Sequence, residues 1–369
     1  DRCAIELVFE TTDEMQRYRK SRVGLLDDQI VCTLFFEPSM RTRLSFESAA
    51  KRLGASIVGF SDPVTTRINL NESLADMIRM ASAYANIIVM RHWLDGAAQL
   101  AADIADVPVI NAGDGTLHHP TQALIDFYTI RQEFGCVSNR KIAVVGGLQN
   151  SRAAASFCLG LTHFENVQLW LINPDKHDMR PDVVHLLQKN GVTVVEGEKL
   201  ENIVSNLDVL YVVRLQKERF SDITEYEKAK EICGVTNYHL QKAAPKMIVM
   251  HCLPRTEELP IHIDDTSNAR YFAQAANGVP IRMALLKLLT THGMHTLNYI
   301  NKSTHGKISA KQFFPMQKPS WSCTNKNCAV HAEEEAIRYL PQNVSEINFK
   351  CRYCDQPMKQ HGVAHHDYC

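Results

Sequence analysis

The chain has 369 residues, and its 40 basic and 41 acidic side chains leave a formal net charge of −1. This length allows two or three domains with buried cores. The balanced charge gives no indication of a nucleic acid or an acidic membrane surface as partner. No apolar run approaches the roughly 20 residues that span a bilayer. No secretory signal is recognised at the start of the sequence, and the lack of a starting Met predicts a trimmed or incomplete N-terminus.

Short apolar runs alternate with longer amphipathic stretches from residue 29 onward. Continuous, β-branched runs of this kind are typical of parallel strands covered on both faces. The alternation predicts an α/β fold class with two successive doubly wound parallel-sheet domains. The runs are residues 31–36, 56–60, 86–90, 108–111, 141–145, 167–172, 192–195, 209–213 and 247–250.

The segment F-F-E-P-S-M-R-T-R-L-S-F-E follows the first run. The strand pattern breaks at Pro38, and a helical pattern continues to about residue 53. A helix N-terminus leaves its first N–H groups unpaired and attracts anions. Arg41 adds a forked donor suited to phosphate oxygens, and Ser39 and Thr42 add hydroxyls. The alternative is an ordinary helix cap with solvated arginines.

S-x-R-T-R before L-S-F-E resembles the carbamoyl-phosphate signature of the aspartate and ornithine carbamoyltransferase family. A second motif, H-P-T-Q-x-L-x-D from His119, closely resembles the family motif in which His polarises the carbamoyl carbonyl and Gln holds the amide end. Arg91, after the run 86–90, matches the family's second arginine. The resemblance implies that the phosphate and the carbamoyl group are bound by Ser39, Arg41, Thr42, Arg91, His119 and Gln122.

The second half of the chain carries motifs that resemble the family's amino-acid site. Arg152 matches an arginine for the substrate α-carboxylate, and R-L-Q-K-E-R, with Arg214 and Gln216, is very like the aspartate branch. Two arginines suit a dicarboxylic amino acid. The motif H-C-L-P-R implies that the carbonyls of Leu253 and Pro254 take the carbamoyl amino group. Cys252 in this motif is the residue typical of the ornithine branch, so a carbamoyltransferase for another amine stays an alternative.

The segment S-D-P-V-T-T-R-I-N-L-N-E-S-L-A-D departs from the family. In the aspartate branch this loop reaches into the neighbouring subunit's site with Ser and Lys, but here it is one residue shorter and lacks Lys. Thr65 or Thr66 is a candidate for the serine role. Arg67 is a candidate cation, although the exchange is not conservative. A second alternative is therefore a catalytically impaired paralogue with an assembly role.

The last 47 residues hold five of the 11 cysteines, whereas the others lie singly and are typical of reduced thiols in a cytoplasmic protein. Four of these cysteines form two close pairs that are separated by 22 residues, which is the usual layout of a tetrahedral zinc site. Disulfides are the alternative. A site with four protein ligands predicts one structural zinc per chain, and carbamoyl transfer itself is predicted to need no cofactor. The ligands are Cys323, Cys328, Cys351 and Cys354.

The cysteine segment looks like the zinc domain of the aspartate carbamoyltransferase regulatory chain, fused here to the catalytic part without a nucleotide-binding domain. The resemblance implies transfer of the carbamoyl group from carbamoyl phosphate to L-aspartate, a step of pyrimidine biosynthesis, in a homotrimer with sites between subunits. The predicted divisions are a carbamoyl-phosphate domain (1–132), an aspartate domain (133–280), a helix returning to the first domain (281–300), a linker (301–320) and a zinc domain (321–369).

Overall fold

The structure is a computed structural model, and it describes residues 1–61, 72–291, 321–333 and 350–360. Two parallel sheets, each alternating with helices, make up most of it, and a short antiparallel pair lies in the C-terminal segment. Within the described ranges, no helix combines the length and apolarity needed to cross a membrane.

The first sheet is four-stranded and entirely parallel, in the order β2-β1-β3-β4. Its central strands are buried along nearly their whole length, as helices on both faces require. The elements of this half of the chain are α1 (Arg2–Gln16), β1 (Ile30–Phe35), α2 (Met40–Leu53), β2 (Ser56–Phe60), α3 (Leu74–Tyr84), β3 (Ile87–His92), α4 (Ala97–Ile104), β4 (Val109–Asp114) and α5 (Pro120–Phe134).

The second sheet has five parallel strands in the order β7-β6-β5-β8-β9. Its elements are β5 (Lys141–Val145), α6 (Arg152–Leu161), β6 (Gln168–Ile172), α7 (Pro181–Lys189), β7 (Thr193–Glu196), α8 (Leu200–Ile203), β8 (Val209–Val212), α9 (Ile223–Cys233), α10 (Asn237–Lys242), β9 (Ile248–His251) and α11 (Tyr271–Thr291). All nine predicted strands are present, and the doubly wound α/β prediction is confirmed.

The C-terminal segment, here called the cysteine module, comprises the described residues 321–333 and 350–360. It contains β10 (Trp321–Cys323), α12 (Ala329–Ala332) and β11 (Met358–Gln360), and β10 pairs antiparallel with β11. The predicted linker, residues 301–320, lies outside the described residues.

Two compact units divide the chain. The first contains Asp1–Arg19 and His118–Ala284, and the second contains Lys20–Leu117 and the described residues from Leu285 onward. Within the first unit, helix α1 is attached to α5 by the ion pair between Asp13 and Arg131, whose closest atoms lie 2.9 Å apart. The predicted domain boundaries stay a prediction, but the cysteine module and the first sheet belong to one unit.

Candidate active site and metal centre

Helix α2 begins directly after the turn that follows β1, with Ser39 at its N-cap. The first hydrogen bond inside the helix runs from the Arg43 N–H to the Ser39 carbonyl, so the N–H groups before Arg43 have no acceptor within the helix. The Arg41 side chain is exposed beside these groups, and Thr42 is buried. This geometry suits an anion with several oxygens.

Arg91 lies on β3 beside the end of β1, where its carbonyl accepts a hydrogen bond from Phe36 N–H at 2.9 Å. Its guanidinium is only 12 % exposed and lies 3.3 Å from a carboxylate oxygen of Glu37. Glu37 thus holds the arginine at the carboxyl end of the sheet, the edge at which open α/β sheets bind ligands. Ser39, Arg41, Thr42 and Arg91 therefore belong to one unit and to one edge of its sheet.

A second group of predicted site residues lies in the other unit, at the start of α5. His119 forms the N-cap of this helix, is buried, and donates its backbone N–H to the Ser156 hydroxyl at 2.7 Å. Pro120 occupies the first helical position, which favours helix initiation. Gln122 lies in the first turn, and its side-chain nitrogen donates to Asp126 at 2.8 Å. His119 and Gln122 thus share one helix end.

Two arginines follow neighbouring strands of the second sheet. Arg152 is the first residue of α6, after the loop that ends β5. Arg214 comes two residues after β8, and its guanidinium pairs with Glu218 one turn further on. Gln216 caps the short 3₁₀ turn that contains Glu218. Because β5 and β8 are adjacent and parallel, the chain leaves both strands at the same edge of the sheet.

Leu253 and Pro254 form the turn after β9, the next strand of this sheet, and are joined by a cis peptide bond. Leu253 has φ +55°, a left-handed conformation that is costly for a branched side chain and must be held by its surroundings. Its N–H donates to His251 Nδ1 at 2.8 Å, which supplies such a restraint. Arg67, the remaining predicted site residue, lies outside the described residues.

Four cysteines of the cysteine module come together. Their sulfurs all lie within 4.8 Å of one another, with Cys323 and Cys354 3.3 Å apart and Cys328 and Cys351 3.7 Å apart. A tetrahedron with metal–sulfur bonds of about 2.3 Å has sulfur–sulfur edges of about 3.8 Å, so this donor set fits one metal ion. All four side chains are buried, as expected of a closed structural site.

Within its unit, the cysteine module contacts Asp95, in the loop between β3 and α4. The Asp95 N–H donates to the Asn327 carbonyl at 3.0 Å, and its carbonyl accepts from Ala329 N–H at 2.9 Å. Its carboxylate accepts from Asn325 at 2.7 Å and, through its other oxygen, from Thr116 N–H at 2.7 Å. One side chain therefore joins the module to the turn that precedes His118.

Further contacts extend this docking surface. Arg352 forms a forked pair with Asp103, with nitrogen–oxygen distances of 2.6 and 2.9 Å. Glu333 accepts the backbone N–H of Leu74 at 3.1 Å, at the start of α3. The cysteines and Tyr353 are buried in the same apolar cluster as residues of α3 and α4. The module shares a core with the first sheet's unit.

Gly96 gives a specific prediction for this docking surface. Its φ is +81°, and a Cβ added there would lie 2.5 Å from the Cβ and the carbonyl oxygen of Tyr353. We expect Gly96→Ala to displace the module, which amide hydrogen exchange at Asp95 should detect as lost protection. Gly135→Ala is the matched control, because Gly135 has the same φ and a Cβ there meets nothing within 4 Å.

Both alanines carry a left-handed backbone cost of about 1 to 2 kcal/mol. Equal melting temperatures and equal exchange in the two variants would show that the contact between Gly96 and Tyr353 does not hold the module in place.

Several residues that shape these sites were not found from the sequence. Glu37 and Ser156 hold Arg91 and His119, and Asp95 holds the module, but each is a single polar residue with partners far away in the chain. Asp126 is different, since it lies four residues after Gln122 on one helix, a spacing that places two side chains on the same face. That signal was present in the H-P-T-Q-x-L-x-D motif.

Comparison with known proteins gives a consistent result. The family model for the carbamoyl-P binding domain of aspartate/ornithine carbamoyltransferase matches residues 1–132, and that for the Asp/Orn binding domain matches residues 138–289. The chain belongs to the aspartate/ornithine carbamoyltransferase family. A third model, the metal binding domain of the aspartate carbamoyltransferase regulatory chain, matches residues 321–364.

Two family members illustrate the two parts of the chain. The aspartate carbamoyltransferase catalytic subunit of Hyperthermus butylicus is 47% identical over 292 residues, which are 78% of this chain and 93% of that one. The catalytic subunit of Brachyspira hyodysenteriae is 38% identical over 340 residues, 91% of this chain and 90% of that one. A match this long necessarily includes part of residues 321–364.

Solved structures of the family have the same architecture. The catalytic subunit of M. jannaschii aspartate transcarbamoylase has a TM-score of 0.74 and 40% identity, covering 79% of this chain and 95% of that one. Aspartate transcarbamoylase from Trypanosoma cruzi, in complex with carbamoyl phosphate and aspartate, has a TM-score of 0.72 and 36% identity, covering 78% and 92%.

Proposed function

We propose that this chain is an aspartate carbamoyltransferase, which transfers the carbamoyl group of carbamoyl phosphate to the amine of L-aspartate and releases phosphate. The observation that carries the proposal is the identity of 47% over 78% of the chain to a catalytic subunit of that name. The arginines and glutamine at the carboxyl end of the second sheet agree with it, because a substrate with two carboxylates needs more than one guanidinium.

Carbamoyl phosphate is held first through its phosphate. Ser39, Arg41 and Thr42 offer the helix N-terminus, a guanidinium and hydroxyls to the phosphate oxygens, and Arg91 adds a second guanidinium. The family resemblance assigns Thr42, Arg91 and His119 to the carbonyl oxygen of the carbamoyl group. Donors directed at this oxygen stabilise the negative charge that develops there during acyl transfer.

The carbamoyl amino group needs acceptors rather than donors. Gln122 supplies its side-chain carbonyl oxygen, and Leu253 and Pro254 supply backbone carbonyl oxygens. L-Aspartate is held by Arg152, Arg214 and Gln216, so that its amine meets the carbamoyl carbon, a positioning effect. The new carbon–nitrogen bond forms as the carbon–oxygen bond to phosphate breaks, and the departing phosphate takes the proton of the amine.

The cysteine module binds one zinc ion through Cys323, Cys328, Cys351 and Cys354, which suit zinc in number and in softness. Zinc has a structural role here, since four protein ligands leave no position for substrate. A cytoplasmic location fits the cysteines, which are all thiols rather than disulfides among the described residues. The family resemblance supports a homotrimer, in which Arg67 acts as the cation of the loop.

The test is formation of N-carbamoyl-L-aspartate by the purified full chain, with L-ornithine as the competing amine. We expect turnover with aspartate and a rise of about 10- to 100-fold in the KM for aspartate in Arg214→Ala, because one charged hydrogen-bonded pair is lost. Lys228→Ala, on the exposed face of α9, is the control and should leave the KM unchanged.

Other outcomes distinguish the remaining functions. Turnover with ornithine and none with aspartate would assign the chain to another amine. Carbamoyl phosphate binding without turnover of either amine would identify an impaired paralogue. Turnover that collapses in Arg67→Ala would assign the missing lysine's role to Arg67.

A further inference from the structure

Asp126 is a carboxyl group buried inside the first unit, on α5. It is fully buried and receives three hydrogen bonds, from side chains on three different elements. Gln274 on α11 and Gln122 on α5 donate their amide nitrogens at 2.6 and 2.8 Å, and Tyr211 on β8 donates its hydroxyl at 2.9 Å. Nothing in the proposed reaction uses this carboxyl directly, so its burial calls for another role.

The two oxygens of Asp126 have different partners. Oδ1 accepts from both amides, and Oδ2 accepts from Tyr211 alone. Burial raises the pKa of Asp126 to about 7, and the three hydrogen bonds offset that rise only in part. A proton on Oδ2 would reverse the bond to Tyr211 and leave Oδ1 as an acceptor. Both amides therefore keep their nitrogens on Asp126 in either protonation state.

This arrangement fixes which way Gln122 faces. A carboxamide has a donor nitrogen and an acceptor oxygen on opposite arms of one plane. Since Asp126 binds the nitrogen arm, the oxygen arm of Gln122 faces away from the carboxyl. In the reversed orientation two oxygens would meet across a buried hydrogen-bond distance, at the cost of an unsatisfied buried group. Asp126 thus presents Gln122 to its surroundings as an acceptor.

The side-chain amide of Gln274 connects Asp126 to the turn after β9. Gln274 is buried, and its oxygen accepts the His251 N–H at 2.9 Å while its nitrogen is held by Asp126. His251 Nδ1 then accepts the N–H of Leu253 at 2.8 Å. Three consecutive hydrogen bonds therefore connect Asp126 to the strained backbone of Leu253.

Glu258 completes this connection by fixing the imidazole. Because Nδ1 of His251 accepts from Leu253, the ring proton is on Nε2, which lies 3.1 Å from a Glu258 oxygen. Burial pushes the pKa of Glu258 upward, but hydrogen bonds from His251 and Thr256 hold it below its ordinary value. The Glu258 carboxylate thus holds the fully buried His251 in one tautomer. A carboxylate partner commonly has the same effect on a metal-ligating histidine.

We propose that Asp126 is a positioning residue for recognition of the carbamoyl amino group, because it orients Gln122 directly and the Leu253–Pro254 turn through Gln274 and His251. The inference rests on the proposed function, which assigns the amino group to these acceptors. It adds that the buried carboxyl group of Asp126 orients both Gln122 and the Leu253–Pro254 turn. It also adds that Asp126 acts through its hydrogen-bonding pattern rather than through its charge.

The test compares two ligands that differ at one group. Acetyl phosphate has a methyl group where carbamoyl phosphate has the amino group, so the ratio of their dissociation constants measures recognition of the amino group. Calorimetric titration of the full chain gives this ratio for the wild type, Asp126→Asn, Asp126→Ala, Tyr211→Phe and Gln274→Met. Melting temperatures are recorded alongside, because a buried substitution also lowers stability.

We expect the preference for carbamoyl phosphate to fall at least about tenfold in Asp126→Ala and in Gln274→Met. Asp126→Asn should keep the wild-type ratio to within about twofold, since its oxygen accepts both amides and its nitrogen donates to Tyr211. Tyr211→Phe should keep it too, because that hydroxyl binds the other oxygen. If Asp126→Ala does not fold, the contrast between Gln274→Met and Tyr211→Phe decides the matter.

A ratio unchanged in Asp126→Ala and Gln274→Met despite lower melting temperatures would overturn the proposal, since it would show a purely structural role. Equal losses in Asp126→Asn and Asp126→Ala would overturn it as well, because charge would then be what matters. A ratio of the two dissociation constants near one in the wild type would also overturn the proposal, because the site would then not distinguish the amino group from a methyl group. Failure of the proposed function gives a different pattern, in which the ratios change as expected but no carbamoyl-aspartate forms.

Discussion

We expect the Arg41→Ala variant to lose carbamoyl phosphate binding and to form carbamoyl-aspartate on the order of 100- to 1,000-fold more slowly. Arg41 is exposed beside the unpaired N–H groups at the start of α2, so its guanidinium and the helix end act on the same anion. Steady-state kinetics with varied carbamoyl phosphate, and calorimetric titration of the same ligand, measure the two effects separately.

Arg52→Ala is the control for this prediction. Arg52 lies in the last turn of the same helix, and its guanidinium contacts Ser48 at 3.3 Å. Removing it changes the charge of α2 by the same amount, far from the helix start, and a surface change of this kind is usually within about 0.5 kcal/mol of neutral. Unchanged affinity for carbamoyl phosphate in Arg41→Ala, or equal losses in both variants, would refute the assignment of the phosphate site.

Much of the fold could be predicted from the sequence because its strands are short, apolar and buried on both faces. Such runs are distinctive within one window of sequence, and the nine predicted runs correspond to β1 through β9. The end of α5 has a local signal of the same kind, since Gly135 takes the left-handed conformation that commonly ends a helix. These features depend on neighbouring residues, which the sequence displays directly.

The motifs predicted the positions of the candidate ligands but not what holds them. Arg91 follows a strand, which the sequence shows, but its pairing with Glu37 depends on β1 and β3 being adjacent. In the same way, Gln274 is separated from Asp126 by 148 residues, so no local pattern connects them. Contacts of this kind are set by topology, and a single sequence gives no direct signal for them.

The docking of the cysteine module shows the same limit. The spacing of the cysteines predicted a metal site, and the four sulfurs do cluster. No local pattern connects Asn325 with Asp95, which are 230 residues apart, or Arg352 with Asp103. Both pairs are polar contacts between residue types that are usually solvated, so only the folded chain distinguishes them from ordinary surface groups.

The Cys328→Ser variant should lose the metal ion and, with it, the docking of the cysteine module. A serine hydroxyl is a poor ligand for zinc compared with a thiolate, and the free energy of binding structural zinc, about 10 to 16 kcal/mol, is also folding free energy for the segment that binds it. We expect metal analysis after dialysis to fall from about one equivalent of zinc per chain to almost none.

The loss should also be visible at a distance from the cysteines. Residue 328 is followed by Ala329, whose N–H donates to the Asp95 carbonyl, so a disordered metal site removes that hydrogen bond and its neighbours. Amide exchange at Asp95 and Thr116 should therefore accelerate in Cys328→Ser. Cys136→Ser is the control, because Cys136 is a half-buried thiol in the other unit and has local hydrogen bonds, to the Ser138 carbonyl at 3.4 Å and with Arg140.

Retention of one zinc per chain in Cys328→Ser would refute the four-cysteine site. Loss of zinc with unchanged exchange at Asp95 would keep the metal site but show that the module docks without it. The fused module would then be held by its polar contacts alone, with Arg352 and Asn325 as the next residues to replace. The combined loss of metal and protection would instead show that the ion maintains the loop after β3, the strand that carries Arg91.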